Sequence, residues 1–299
     1  MASLFRLVRP LCPHTLRPLR PSLAPRFFSP STTKAFGLAH GPSRFLNRQP
    51  SAILRRLYAR NHNQGWGPSS PPPPPPSGNP YENAQANMRI IYLFAAINTA
   101  VWAYAAYCKI CAQQGNPQPW MQLAPRVLLN LRNVLSGHYE TIITSAFAHL
   151  DPIHLLANMT SFYFIGRLVA ENAGIMPRHF VTLLLGSAIS GSLGYLLVRY
   201  QHVRRTGQAD TQSGLGFSGA VMGLGLAASM MFPRTVFHVY GIIPVPLWVL
   251  MGGYLIYDGY YLSSEKKTGV AHAGHLGGAA FGALYYLLVL RRPFLRLRL

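Results

Sequence analysis

Three short segments hold the residues in this 299-residue chain whose types and spacing suit chemistry. Ser218 lies in GLGFSGAVMG, His272 and His275 lie in AHAGHLGGAAFG, and His154 and Asn158 stand four apart in HLLANM. A serine hydroxyl becomes a nucleophile when a base takes its proton, and a neutral imidazole within hydrogen-bond reach is such a base. The tetrahedral adduct that follows attack on a carbonyl needs donors for its oxyanion. Asn158 and His154, on one face of a helix, and the backbone N–H of Ser218 are of the right kind. Singly, each segment also has a packing explanation. Gly216, Gly219, Gly223 and Gly225 suit close helix contact, Gly274, Gly278 and Gly282 form a stripe of small residues, and a lone histidine in an apolar helix is commonly hydrogen-bonded structure.

The elements that must position these residues are apolar. Hydrophobic residues make up 49% of the chain and charged residues 11%, against about 25% charged in a soluble domain. That composition excludes a small soluble enzyme and a solvated nucleic-acid binder. A bilayer span needs about 20 apolar residues, and six runs qualify: 89–111, 152–170, 178–200, 215–232, 238–257 and 269–290. Their length and lack of period-two alternation predict helices, hence an all-α polytopic bundle of six transmembrane helices. A tight turn at Pro233 and Arg234 joins the fourth and fifth runs. Residues 112–151, with Pro119, Trp120 and Pro125, read as a loop lying in the interface. Pro244, Pro246, Gly252 and Gly253 mark the fifth span as one that kinks or swings, or else carries a tolerated bend.

Six spans put both termini on one side, and every even-numbered span then starts on the other. His154 and Asn158, Ser218, and the His272/His275 pair lie near the starts of spans two, four and six, so all three groups fall at one depth. Polar residues inside spans are costly, which makes a convergent set a functional candidate. Asp151 and Asp210 read as loop residues and Asp258 as lying at the opposite end of the fifth span's neighbourhood, so no carboxylate is expected as an orienter. The predicted machinery is a serine–histidine dyad, a variant of the serine–histidine–acid arrangement.

GFSG opening a helix, HLLAN two spans earlier and HLGGAAFG in the last span resemble the rhomboid intramembrane serine proteases, whose pattern is GxSG, HxxxN and HxxGxxxG on helices four, two and six. The resemblance covers residues 89–290. It implies that Ser218 is the nucleophile and that His275, which leads into Gly278 and Gly282, is the base, with His272 a decoy. It also implies that His154 and Asn158 help the oxyanion, and that Gly216 and Gly219 let the serine's helix approach the last one. Met222 stands where many bacterial members carry an aromatic residue stacked on the histidine, and SGHYET stands where they carry a Trp-Arg pair. SGAVMG, IHLLANM and GHLGGAAFG are similar to the mitochondrial presenilin-associated rhomboid-like branch. The implied substrates are transmembrane segments of other membrane proteins, with the lipid bilayer as partner and no nucleic acid, cofactor or metal. A catalytically inactive relative that binds or escorts membrane clients is the alternative. A transporter with a histidine relay fits less well, because the spans lack acids and no internal repeat is found.

Lys and Arg number 27 against 7 Asp and Glu, a net charge of +20. Eleven of the basic residues lie in residues 1–81, which hold no acid. Residues 1–60, rich in Arg, Ser and Pro, have the composition of a transit peptide, cleaved after Tyr58 by the RRLYA pattern, or of a basic tail. Residues 61–88 read as a Pro-rich disordered linker and 291–299 as a basic tail. The Lys/Arg bias places the termini inside. In the mitochondrial inner membrane the site then faces the intermembrane space; a plastid membrane is the alternative. Cys108 and Cys111 read as packing residues, and three cysteines build no disulfide framework.

Overall fold

The computed structural model describes residues 79–172, 174–239, 242–263 and 270–291. The expected leader at 1–60 and most of the basic tail lie outside them. Helix α1 runs Pro80–Gln113, earlier than its apolar run predicts, so residues 80–88 of the expected linker are helical. The local cause is a cap: the Asn79 side chain accepts the Tyr81 N–H at 3.1 Å, Pro80 opens the helix and Glu82 sits in its first turn. Residues 112–151 are not a plain loop. They fold into α2 (Gln118–Val127), α3 (Leu131–Leu135), α4 (Thr141–Thr144) and a 3₁₀ turn (Ser145–Phe147).

Next come α5 (Pro152–Asn172), α6 (Pro177–Thr206) and α7 (Ser218–Met231). A hairpin of β1 (Val236–Val239) and β2 (Ile243–Pro246) follows, then α8 (Leu247–Ser263), α9 (His272–Tyr285) and a π-helical turn (Tyr286–Leu290). The hairpin corrects two expectations. The fifth run is not helical from 238 but pairs antiparallel, Val236 opposite Pro246 and Val239 opposite Ile243. Pro244 and Pro246 therefore sit in a strand, where a two-stranded ribbon tolerates proline, and they cannot kink α8.

The bundle holds six helices, α1 and α5 to α9, yet among the described residues three are long and apolar enough to cross a membrane: α1, α6, and α9 with its π turn. The 14-residue α7 rises only about 21 Å against a hydrocarbon core of about 30 Å. It can be short because its neighbours surround it, leaving ten of its residues buried. The tightest packing joins α6, α7 and α9, and glycines make it possible. A methyl group on Gly278 would stand 2.1 Å from the Gly219 carbonyl oxygen, and one on Gly282 would stand 2.0 Å from that of Gly223. The outer faces are apolar and exposed, with Leu93 on α1, Leu156 and Phe164 on α5, Leu197 on α6, Ile256 on α8 and Leu288 in the π turn. An apolar surface on this scale is a lipid-facing one.

Candidate active site

Ser218 is the first residue of α7, and the turn before it places it there. Gly216 has φ of +114°, a left-handed conformation that side chains disfavour, and its N–H donates to the Ser145 carbonyl at 2.9 Å. The Phe217 N–H donates to His149 Nε2 at 3.3 Å. The loop leading in, 207–217, is held from two more sides. Leu129 and Gly214 exchange backbone hydrogen bonds of 3.1 and 2.8 Å, and Arg199 on α6 donates to Asp210 at 2.6 and 2.8 Å and to Gln212 at 3.1 Å. Opening a helix leaves the first-turn N–H groups around Ser218 without intrahelical acceptors.

His275 lies one turn into α9, and its Nε2 is 2.9 Å from Ser218 Oγ. The glycine contacts between α7 and α9 set that separation through the backbone. On the other side of the imidazole, Nδ1 faces Asp258 of α8, 3.0 Å from Oδ2 and 3.2 Å from Oδ1. His272 Nδ1 reaches the same carboxylate at 2.7 Å. Asp258 is 1% exposed.

On α5, Asp151 caps the helix by accepting the His154 N–H at 2.7 Å. The His154 ring rests on Gly216, where a methyl group would stand 2.7 Å from its Cε1 and 3.1 Å from its Nε2. Asn158 is buried, and its Nδ2 donates to the His154 carbonyl at 2.9 Å along the same helix. His149 packs edge-on against His154 with ring centres 5.0 Å apart. Burial, and then the neighbouring His154, hold the His149 pKa down to about 4, so this loop imidazole is neutral at neutral pH and accepts from Phe217. A cavity of about 30 Å³ beside Ser218, lined by Ser145, Ala188, Gly191, Ser192 and Tyr195, has room for about one water with hydroxyl partners.

A family model, the rhomboid domain, matches residues 136–292. The chain belongs to the rhomboid family. This rhomboid is similar to RHOMBOID-like protein 12, mitochondrial, of Arabidopsis thaliana, with 34% identity over 176 residues, 56% of this chain and 51% of that protein. It is 30% identical over 198 residues to Rhomboid protein 1, mitochondrial, of Saccharomyces cerevisiae, covering 66% of this chain and 52% of that protein. Rhomboid-like protein 16, chloroplastic, of Arabidopsis thaliana follows at 26% over 157 residues, 50% of this chain and 48% of that protein. The chain thus spans about half the length of the curated relatives it matches.

In this rhomboid the residues singled out from the sequence fall into two groups. Ser218 and His275 meet directly, and His154 comes against the turn that carries Ser218. Gly219 and Gly278 pack α7 against α9, and Gly282 meets Gly223 one turn further along. Gly216 does different work from that expected, because its bare Cα makes room for His154 rather than for α9. Met222 is buried in the core of the bundle. The expectation that no carboxylate is at hand is overturned. The run ending at 257 stops one residue short of Asp258, whereas the helix continues to Ser263. Since α8 runs toward the side where α9 begins, Asp258 arrives beside His275. His272, read as a decoy, shares that carboxylate.

Proposed function

We propose that the protein is a serine endopeptidase that cleaves transmembrane segments of other membrane proteins, with Ser218 as nucleophile and His275 as base. The observation that carries this reading is the 2.9 Å approach of His275 Nε2 to Ser218 Oγ inside a membrane bundle. Ser218 Oγ attacks the scissile carbonyl carbon while its proton passes to His275 Nε2. The oxyanion receives hydrogen bonds from the Ser218 N–H, His154 and Asn158. Collapse expels the amine, which takes the proton from His275 and leaves an acyl-enzyme. Water, deprotonated by His275, then releases the new carboxyl terminus and restores Ser218. A substrate helix must unwind to expose its scissile carbonyl, and its freed amides lose their partners in lipid; the cavity beside Ser218, with Ser145, Ser192 and Tyr195 in its wall, supports a local supply of water.

The mitochondrial names of the two relatives at 30% identity and above support a mitochondrial location; the Lys/Arg bias supports the rest of the reading, the inner membrane with the site toward the intermembrane space. The test is a fluorophosphonate probe together with a single-span substrate in proteoliposomes. Wild type labels and cleaves, while Ser218→Ala does neither at equal expression. A wild type that stays unlabelled beside a labelled serine-hydrolase control overturns the protease reading in favour of an inactive client binder.

A further inference from the structure

We propose that Asp258 is the positioning residue for His275, so that the machinery is a serine–histidine–carboxylate relay with His272 as a second donor to the same carboxylate; this rests on the protease reading above. The buried residues of α8 are Leu247, Met251 and Asp258, and a methyl group on Gly252, Gly253 or Gly259 would meet nothing within 4 Å. On a helix so thinly covered, a buried acid is expensive unless it is paired. Asp258 has its partners, the Nδ1 atoms of His272 at 2.7 Å and of His275 at 3.0 Å.

A carboxylate only accepts hydrogen bonds, so His275 faces it as Nδ1–H. That tautomer leaves the Nε2 lone pair directed at the Ser218 hydroxyl, the form a general base requires. His272 is held as firmly as the carboxylate it shares. Its ring stacks on Tyr261 at 5.4 Å and 15° and meets Tyr257 edge-on at 5.6 Å, and both tyrosines lie on α8. With Nδ1 of His272 on Oδ1, the carboxylate cannot rotate away from His275 without breaking its shortest bond. The arrangement also makes α8, rather than the α7–α9 pair alone, responsible for the state of the base.

The full-length membrane protein tests this through the ¹⁵N shifts of its labelled histidines, together with kcat, KM and the fluorophosphonate labelling rate. Wild type shows His275 with a protonated Nδ1 and a bare Nε2. In Asp258→Asn that preference is lost, kcat and labelling fall together by roughly 10³- to 10⁴-fold, and KM stays within about threefold; Asp258→Glu recovers part of the rate. His272→Ala loses less than His275→Ala. Wild-type His275 with a bare Nδ1, or an Asp258→Asn protein that labels at the wild-type rate, overturns the role of Asp258 while leaving the protease reading intact. An unlabelled wild type that keeps the Nδ1–H tautomer overturns the protease reading instead.

Discussion

Asn158 spends one amide hydrogen on its own helix, on the His154 carbonyl, and retains a second that an oxyanion can use. Removing one such donor costs roughly 10² in rate. Asn158→Ala is therefore expected to cut kcat by about that factor with cleavage still detectable, measured on the reconstituted substrate. His149 makes a different prediction. Its folded pKa of about 4 lies below the unfolded value of 6.5, so the unfolded chain binds the proton first. The stability it lends is present above about pH 6.5 and is lost as pH falls toward 4. Melting in detergent between pH 7 and 4.5 should show a steeper acid loss for wild type than for His149→Gln. Ser218, the His272/His275 pair, His154 and Asn158 were picked out by residue type and spacing, and the preference for His275 came from the family resemblance. His149 was not, because it lies outside every apolar run; the signal available was a histidine five residues before His154 in the same segment. Asp258 was missed because it was assigned to the opposite end of the fifth span, although a span that starts on the side of the termini ends on the side where the sixth begins.

At the scale of elements, hydropathy locates helices better than it bounds them. It found all six helices of the bundle, but it drew the fifth run through a hairpin. The β-branched and aromatic residues of TVFHV, and the alternation with proline in IPVP, were the strand signals it averaged away. It also read 112–151 as loop, because helices of four to ten residues are too short for a membrane window. The same stretch supplies Leu129, between α2 and α3, and Ser145, which hold the serine's turn and the loop before it. The pairing of α7 with α9 yields a sharp prediction. In Gly278→Ala the new methyl group falls 2.1 Å from a backbone oxygen rather than a movable side chain. A loss of about 3 kcal/mol, the upper end of ordinary overpacking, is expected, together with loss of labelling, checked by thermal melting and the probe. Gly252→Ala, which meets nothing, should leave both unchanged.

Across the whole molecule, packing is unevenly shared. The α6, α7 and α9 trio is locked by glycine contacts, whereas α8 touches its neighbours through few buried residues. Hydrogen exchange in detergent should therefore protect α7 amides longest and release those of α8 first; equal protection would contradict that division. The net charge of +20 says little about the chemistry, since 11 of the basic residues lie in the first 81 positions. The glycine seam carries a further consequence, for descent rather than catalysis. At Gly278 and Gly282 on α9 the atoms an added methyl group would strike are all main chain, of Gly219 and Gly223, so no compensating change of side chain can answer a substitution at either. A lineage can exchange its lipid-facing residues one at a time, but the interval between Ser218 and His275 passes down together with Gly278 and Gly282, the two α9 glycines that set it.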